Sequence, residues 1–318
     1  MIDSSQQGGD SHGDLQHGDA RRRRLGVMFD RSLPPESLVA FAREVEAAGA
    51  DDLWVVEDLR WAGSIASAAT VLAATERLRV GIGIAPAPLR NPALLAMEFG
   101  TLARLYPGRL AAGIGHGAPQ WMAQVGASVP HKLALLEETI GAVRAILRGE
   151  EVSVDGRAIH LEEIQLVHPP RQPPPVIAGV IGPRSLELAG RVADGTLVVE
   201  GRGPNDLPGI RALIEKGRAG AANPGPHELV IFTHLCIRAD QAEVRAALAP
   251  VLAEYSQMLG VPEQEVFTVS GDAAQVAQRV RELWDAGVDS VVLRPVGDEP
   301  TRQFAEAAAA VRPAGSGD

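Results

Sequence analysis

The sequence predicts an α/β fold of the (β/α)8 TIM-barrel type, and three observations carry that expectation. Short apolar runs alternate with amphipathic helical stretches from residue 25 to about residue 312. Eight runs of the first kind are found, each followed by a helix. The chain of 318 residues is also ample for one barrel, which typically takes about 250. No repeat short enough for a solenoid is present, so residues 25–312 read as a single domain.

The elements follow in order. Residues 1–24 are nearly devoid of apolar side chains and end in four arginines, Arg21 to Arg24. They read as a disordered, solvated basic tail, and residues 313–318 as a second short tail. A twin-arginine export signal needs a longer apolar segment than the LGVMF that follows. Leu25 to Phe29 is the first strand, and Pro34 or Pro35 opens a helix through Ala48. Gly49 caps that helix, and Leu53 to Val56 is strand two. A helix over 64–75 precedes strand three, Leu78 to Ile84. Asn91-Pro92 starts the next helix, and strand four covers Arg109 to Ile114. Lys132 to Leu147 has apolar positions at helical spacing. Glu151 to Leu161 alternates around Asp155-Gly156 and reads as a β-hairpin, an excursion from the barrel before strand five.

Strand five, Pro175 to Ala178, runs into a Gly-rich turn, Gly179 to Gly182. Pro183 then sits where a first helical residue belongs. Thr196 to Val199 is strand six, followed by a helix within 206–219 and strand seven within 229–237. Helices over 241–259 and 275–286, a last strand from Ser290 to Leu293 and a helix from Thr301 to Val311 complete the count.

Composition narrows the function. Hydrophobic content of 46% without a long uninterrupted apolar segment describes a soluble globular protein rather than a membrane one. The net charge of −10, from 30 basic and 40 acidic residues, argues against nucleic acid as a ligand. The single cysteine, Cys236, cannot form an internal disulfide, which points to a reducing, cytoplasmic compartment. No Cys/His spacing suits zinc, so no metal site is expected, and no nucleophile elbow or P-loop occurs.

In a barrel of this type the site lies where the strands end. The residues at those ends are Asp30 and Arg31 after strand one, and Glu57, Asp58, Arg60 and Trp61 after strand two. After strand four come Gly115, His116 and Trp121; after strand six, Glu200 and Arg202; after strand eight, Arg294. Glu57 and Asp58 read either as caps of the next helix or as ligand and proton-relay groups. His116, between two glycines, reads as functional. His234 lies inside an apolar run and reads as a satisfied core histidine. Trp61 and Trp121 are loop anchors or stacking groups, and Arg202 suits an anion. The Gly179–Gly182 turn reads either as a phosphate site, because it opens a helix, or as no more than a tight connection.

Two stretches carry a family resemblance. PVIAGVIGPRSLELAGRVADG and GIGIAPAPLRNPALLAMEFGTLARLYPGRLAAGIGHG together resemble the bacterial luciferase-like superfamily, in its branch of F-420-dependent oxidoreductases and methylene-tetrahydromethanopterin reductases. The resemblance implies a luciferase-like barrel that binds the deazaflavin coenzyme F-420 or FMN in its mouth. It implies a cis non-prolyl bulge near Gly83-Ile84 behind the coenzyme ring, with Gly115 beside it. Coenzyme phosphate then falls on Gly179, Gly182, Pro183, Arg184 and Ser185. Asp58, His116 or Asp30 would handle protons, while Trp61, Trp121 and Arg202 would meet the substrate. A homodimer packed through helices near strands two to four is also implied.

The sequence departs from the characterised patterns. Leu59 stands where F-420-dependent sugar-phosphate dehydrogenases have a histidine, Ala118 where they have a glutamate, and Met28 where the pterin reductases have a carboxylate. The expectation is therefore hydride transfer between F-420 and a small organic substrate: an activated C=C or C=N bond, or an alcohol. An FMN-dependent monooxygenase and a non-catalytic ligand-binding member are the alternatives.

Overall fold

The computed structural model describes residues 23–222 and 224–312. Eight parallel strands close on themselves: β1 (Arg24–Met28), β2 (Asp52–Val55), β3 (Arg79–Ile82), β5 (Leu110–Gly115), β8 (Val176–Gly179), β9 (Gly195–Val198), β10 (Glu228–Ile237) and β12 (Ser290–Pro295). Pairing of β1 with β12, Arg24 opposite Ser290, shuts the barrel. Two short strands attach to this ring, β4 (Ala85–Pro86) on β5 and β11 (Val269–Gly271) on β10. The hairpin β6 (Val152–Asp155) and β7 (His160–Ile164) forms its own sheet before β8.

Helices α1 (Leu38–Ala47), α2 (Ser64–Ala74), α3 (Pro92–Leu105), α5 (Lys132–Leu147), α6 (Pro183–Val192), α7 (Leu207–Ala219), α9 (Ala273–Asp285) and α10 (Pro300–Val311) follow the strands. The short α4 (Pro119–Gln124) and the long α8 (Gln241–Leu259) sit on loops above the strand ends. Local sequence explains several termini. Asn91 caps α3 through Ala93 N–H, and Asp272 with Gln275 forms a capping box on α9. Gly49, at φ +88°, turns the chain out of α1 as expected.

Two packed layers result. Apolar side chains of strands and helices fill the space between them, and a smaller set fills the barrel itself: Met28, Trp54, Ala111, Ile177, Leu197, Val230, Phe232 and Val292. Trp54 needs Gly81 opposite it, because a Cβ there would come within 2.2 Å of the indole. Trp54 and Phe232 meet edge to face, their rings 5.3 Å apart. Below them, at the strand starts, Arg79 bridges Asp52 at 2.7 Å and Glu228 at 2.6 Å, and Ser290 donates to Asp52 at 2.6 Å. Burial alone would raise the Asp52 carboxyl, but Arg79 and Ser290 outweigh it and hold it below the ordinary range.

Several expectations change. Strand three ends at Ile82 and not Ile84, while the cis peptide between Gly83 and Ile84 stands where the resemblance implied it, and the chain returns as β4. The helix opened by Pro35 starts as a 3-10 turn, Pro35–Ser37, before α1. Neither Glu57 nor Asp58 caps α2, whose N-cap is Gly63. The hairpin runs on to Ile164. Arg24 belongs to β1 and Arg23 pairs with Asp285, so the tail ends earlier than residue 24. The tail residues 1–22 and 313–318 lie outside the described residues.

Candidate active site

The strand ends open into a mouth whose floor is Trp54 and Phe232. On one side the cis peptide turns the Ile84 side chain over the glycines of β5 and β8. A Cβ at Gly179 would lie 2.4 Å from Ile84, and one at Gly115 would lie 2.9 Å from it. Gly83 is required for a related reason: its Cβ would stand 2.7 Å from the Phe232 ring. The result is a smooth apolar wall made of Ile84 and glycine backbone.

Next to that wall stands His116, delivered by the end of β5. Its Nε2 lies 3.0 Å from the Ser185 hydroxyl in the first turn of α6. Burial, then the charge of Lys132, lowers the His116 pKa, so the ring is neutral near pH 7. Gly182 is the N-cap of α6; no side chain caps this helix, and a Cβ at Gly182 would meet nothing within 4 Å. The Ser185 and Leu186 N–H groups both donate to the Gly182 carbonyl. Arg184 projects into solvent from the same turn. A cavity of about 300 Å³ between α6 and α7 is lined by Val180, Pro183, Arg202 and Asp206 among others.

Across from it, the loop after β2 meets α4. Trp61 and Trp121 lie 6.3 Å apart between ring centroids, and the Arg31 guanidinium stacks 4.7 Å from Trp61. Arg31 also pairs with Asp58, while Glu57 accepts from Arg90 at 2.7 Å and from Ser64. Arg202 is paired as well, with Asp206 at 3.0 Å.

The remaining wall comes from β1, β9, β10, β12 and α8. Arg294 donates to Asp30 at 2.6 Å and to Glu200 at 3.1 Å, with the Tyr255 hydroxyl at 3.4 Å. Burial would raise the Asp30 carboxyl; Arg294 and Ser32 overcome this and hold it low. Burial works against the Arg294 charge too, but Glu200 and Asp30 raise its pKa. Burial and the Glu200 charge push the Tyr255 phenol up. His234 faces inward two residues after Phe232 on β10, its ring 5.0 Å from Tyr255. It is buried as expected of a core histidine, but it is not satisfied: Nδ1 has no hydrogen-bond partner. Burial holds its pKa down to about 4 despite the nearby Glu200.

Thus His116 and Ser185 come together, as do Trp61 and Trp121, and Gly83, Ile84, Gly115 and Gly179 form one wall. Asp58 and Asp30 reach the mouth in separate ion pairs, and Arg202 lies on the cavity beside Pro183. Tyr255 gives no local signal, since its partner Arg294 lies 39 positions away. Arg31 and Arg294 were visible as strand-end residues, but their partners were not. No group of three or more candidate metal ligands occurs among the described residues. No helix among them is long and apolar enough to cross a membrane.

An eight-stranded barrel with a glycine-backed mouth and an open helix N-terminus suits coenzyme binding, and the relatives, a reductase and a dehydrogenase by name, make the chain an enzyme of the oxidoreductase class. Residues 17–305 match the family described as luciferase-like monooxygenase, and the chain belongs to that family. It is similar to a 5,10-methylenetetrahydromethanopterin reductase of Methanolobus tindarius, 29% identical over 314 residues, covering 86% of this chain and 94% of that protein. An F420-dependent glucose-6-phosphate dehydrogenase of Kineococcus radiotolerans is 28% identical over 315 residues, covering 88% and 93%. Among solved structures, the coenzyme F420-dependent tetrahydromethanopterin reductase of Methanopyrus kandleri shares the fold at TM-score 0.80 and 19% identity, covering 91% and 98%. An F420-dependent secondary alcohol dehydrogenase follows at 0.79 and 21%, covering 92% and 99%.

Proposed function

We propose that this protein is an F-420-dependent oxidoreductase that moves a hydride between the deazaflavin and a small organic substrate, an activated C=C or C=N bond or an alcohol. The observation that carries the reading is the smooth wall of Ile84 over Gly115 and Gly179, which offers a planar ring an apolar side chain backed by glycines. The names of the relatives, a reductase and a dehydrogenase, support the same reading. The bound deazaflavin supplies hydride chemistry, having carbon where a flavin has its central redox nitrogen.

The residues fit such a group. The uncapped α6 N-terminus at Gly182 lacks a side-chain acceptor, and a phosphate supplies one. Ser185 offers its hydroxyl there rather than its amide, which is already used within the turn. His116, bonded to Ser185, holds that hydroxyl in place. This favours a coenzyme-holding role for His116 over proton transfer. Asp58 and Asp30 are then the carboxylates available to handle protons, each beside an arginine. Trp61 and Trp121 exclude water from the substrate and orient it.

FMN is the second reading. It presents a phosphate to the same turn, and a Baeyer–Villiger monooxygenase component in complex with FMN shares the fold at TM-score 0.72. A side-by-side titration with F-420 and FMN, read by tryptophan quenching, separates them. Micromolar binding of F-420 alone is expected; preference for FMN with oxygen uptake on turnover would move the protein to the monooxygenases. A cytoplasmic homodimer formed through α3 completes the proposal, on the strength of the exposed Leu94, Met97 and Leu105 of that helix.

A further inference from the structure

Four arginines around the mouth are matched by carboxylates. Arg31 pairs with Asp58, Arg90 with Glu57 and Glu98, and Arg202 with Asp206. Arg294 is the most enclosed of these, its side chain 19% exposed, and it carries two carboxylates, Asp30 at 2.6 Å and Glu200 at 3.1 Å. Glu200 is itself 5% exposed. An incoming phosphate or carboxylate would meet this pair of negative charges with little water to screen them. It would gain Arg294 only by leaving Asp30 or Glu200 unpaired, which is costly for a buried charge. His234 behind them adds no positive charge, because burial keeps the imidazole neutral. Unpaired positive charge lies on the other side, where Lys132 and Arg184 flank His116 and the α6 turn.

We propose that Asp30 and Glu200 are specificity residues. By saturating Arg294 they make the wall formed by β1, β9 and β12 a site for an uncharged substrate and close it to phosphorylated or carboxylated ones. This rests on reading the mouth as the place where coenzyme and substrate meet. The substrate then differs in charge from the sugar phosphate named for the Kineococcus relative. The carboxylates achieve this through charge, by occupying the guanidinium that Arg294 would otherwise offer an anion.

The test uses inorganic phosphate, glucose 6-phosphate and cyclohexanol as probes on the full-length protein. Binding is read from the Arg294 side-chain and Ser185 backbone resonances by NMR, which report the two sides of the mouth separately. Wild-type protein should show no phosphate-induced shift at Arg294, while cyclohexanol shifts resonances of that wall. Asp30→Asn combined with Glu200→Gln should gain phosphate affinity at Arg294 by at least tenfold, and adding Arg294→Met should abolish the gain, read in all variants from the backbone amides of residues 30 and 200, which adjoin Arg294. If the double variant does not fold, Asp30→Asn alone should give a smaller gain of the same sign.

Phosphate or glucose 6-phosphate binding at Arg294 in the wild type would overturn the proposal. So would a folded double variant that gains nothing, or a wall that cyclohexanol leaves unshifted. F-420 titration of the same samples keeps the two readings apart. Loss of coenzyme binding alone removes the coenzyme assignment, and anion binding at Arg294 alone removes this one.

Discussion

His116 and Ser185 stand 69 positions apart in the chain and 3.0 Å apart in space. Each reaches the contact for a local reason: His116 follows the glycine that ends β5, and Ser185 occupies the first turn of a helix opened by proline. A hydroxyl that can rotate is a poor ligand until something fixes it, and the imidazole does so. The two should therefore act as a unit. His116→Ala and Ser185→Ala should each weaken F-420 binding by roughly fivefold, about 1 kcal/mol. The double variant should be weaker than wild type by clearly less than the product of the two. A double-mutant cycle on dissociation constants measures this; strict additivity would mean that the residues act independently. The contact was half legible in sequence. His116 stood out because nothing around it asks for a histidine, and Ser185 only through the family resemblance, but only folding shows that they touch.

At the level of elements, α3 presents two faces. Leu95, Ala96, Phe99, Leu102 and Ala103 are buried, whereas Leu94, Met97 and Leu105 are exposed. An apolar side chain left in water costs about 25 cal/mol per Å² of surface that a partner would cover. Leu94→Lys with Met97→Lys should convert a dimer to a monomer in sedimentation velocity, with the monomer's helical content intact. A wild-type protein that sediments as a monomer rules this out. Elements of this size were legible because strands and helices here are long enough to show their periods: α5 and α8 fall where the spacing puts them. The failures are short pieces. Three residues of β11 and six of α4 are too few to show a period, and β11 exists because β10 is long enough to pair with it. The Arg294 wall was legible only in part, since it draws on five elements and no stretch of sequence holds its plan.

For the molecule as a whole, buried neutral histidines couple stability to pH. His234 and His227 are both held down to about 4, chiefly by burial, against about 6.5 in an unfolded chain. Between these values the unfolded state binds more protons, so stability rises with pH there. The contribution is complete above pH 6.5, is lost progressively as the pH falls toward 4, and changes no further below that. Asp30 and Asp52 add a loss in the same direction, but only as the pH falls below the ordinary aspartate range. Urea midpoints at pH 7.5, 5.5 and 4.5 should fall in that order, by on the order of 2 kcal/mol for the buried His234 at the lowest pH and by less for the half-buried His227. His234→Leu should remove part of that slope, and an unchanged slope would show that His234 is not one of its sources.

The seam between β1 and β12 has a consequence for the chain as it is made. Arg24 lies opposite Ser290, the Trp284 indole donates to the Arg24 carbonyl at 3.2 Å, and Arg312 reaches the Gly49 carbonyl at 3.2 Å. The first strand to leave the ribosome thus waits for the eighth, some 260 residues later, before its outer edge is paired. Throughout that interval the growing sheet is open, with β1 at one edge and the newest strand at the other. Both edges carry the apolar residues of a fully buried barrel, a surface that invites pairing with neighbouring nascent chains. Closure is therefore a race between elongation and self-association. Slowing elongation ahead of β12 is expected to lower the folded yield in an in vitro translation assay, and a chaperone that holds β1 to raise it.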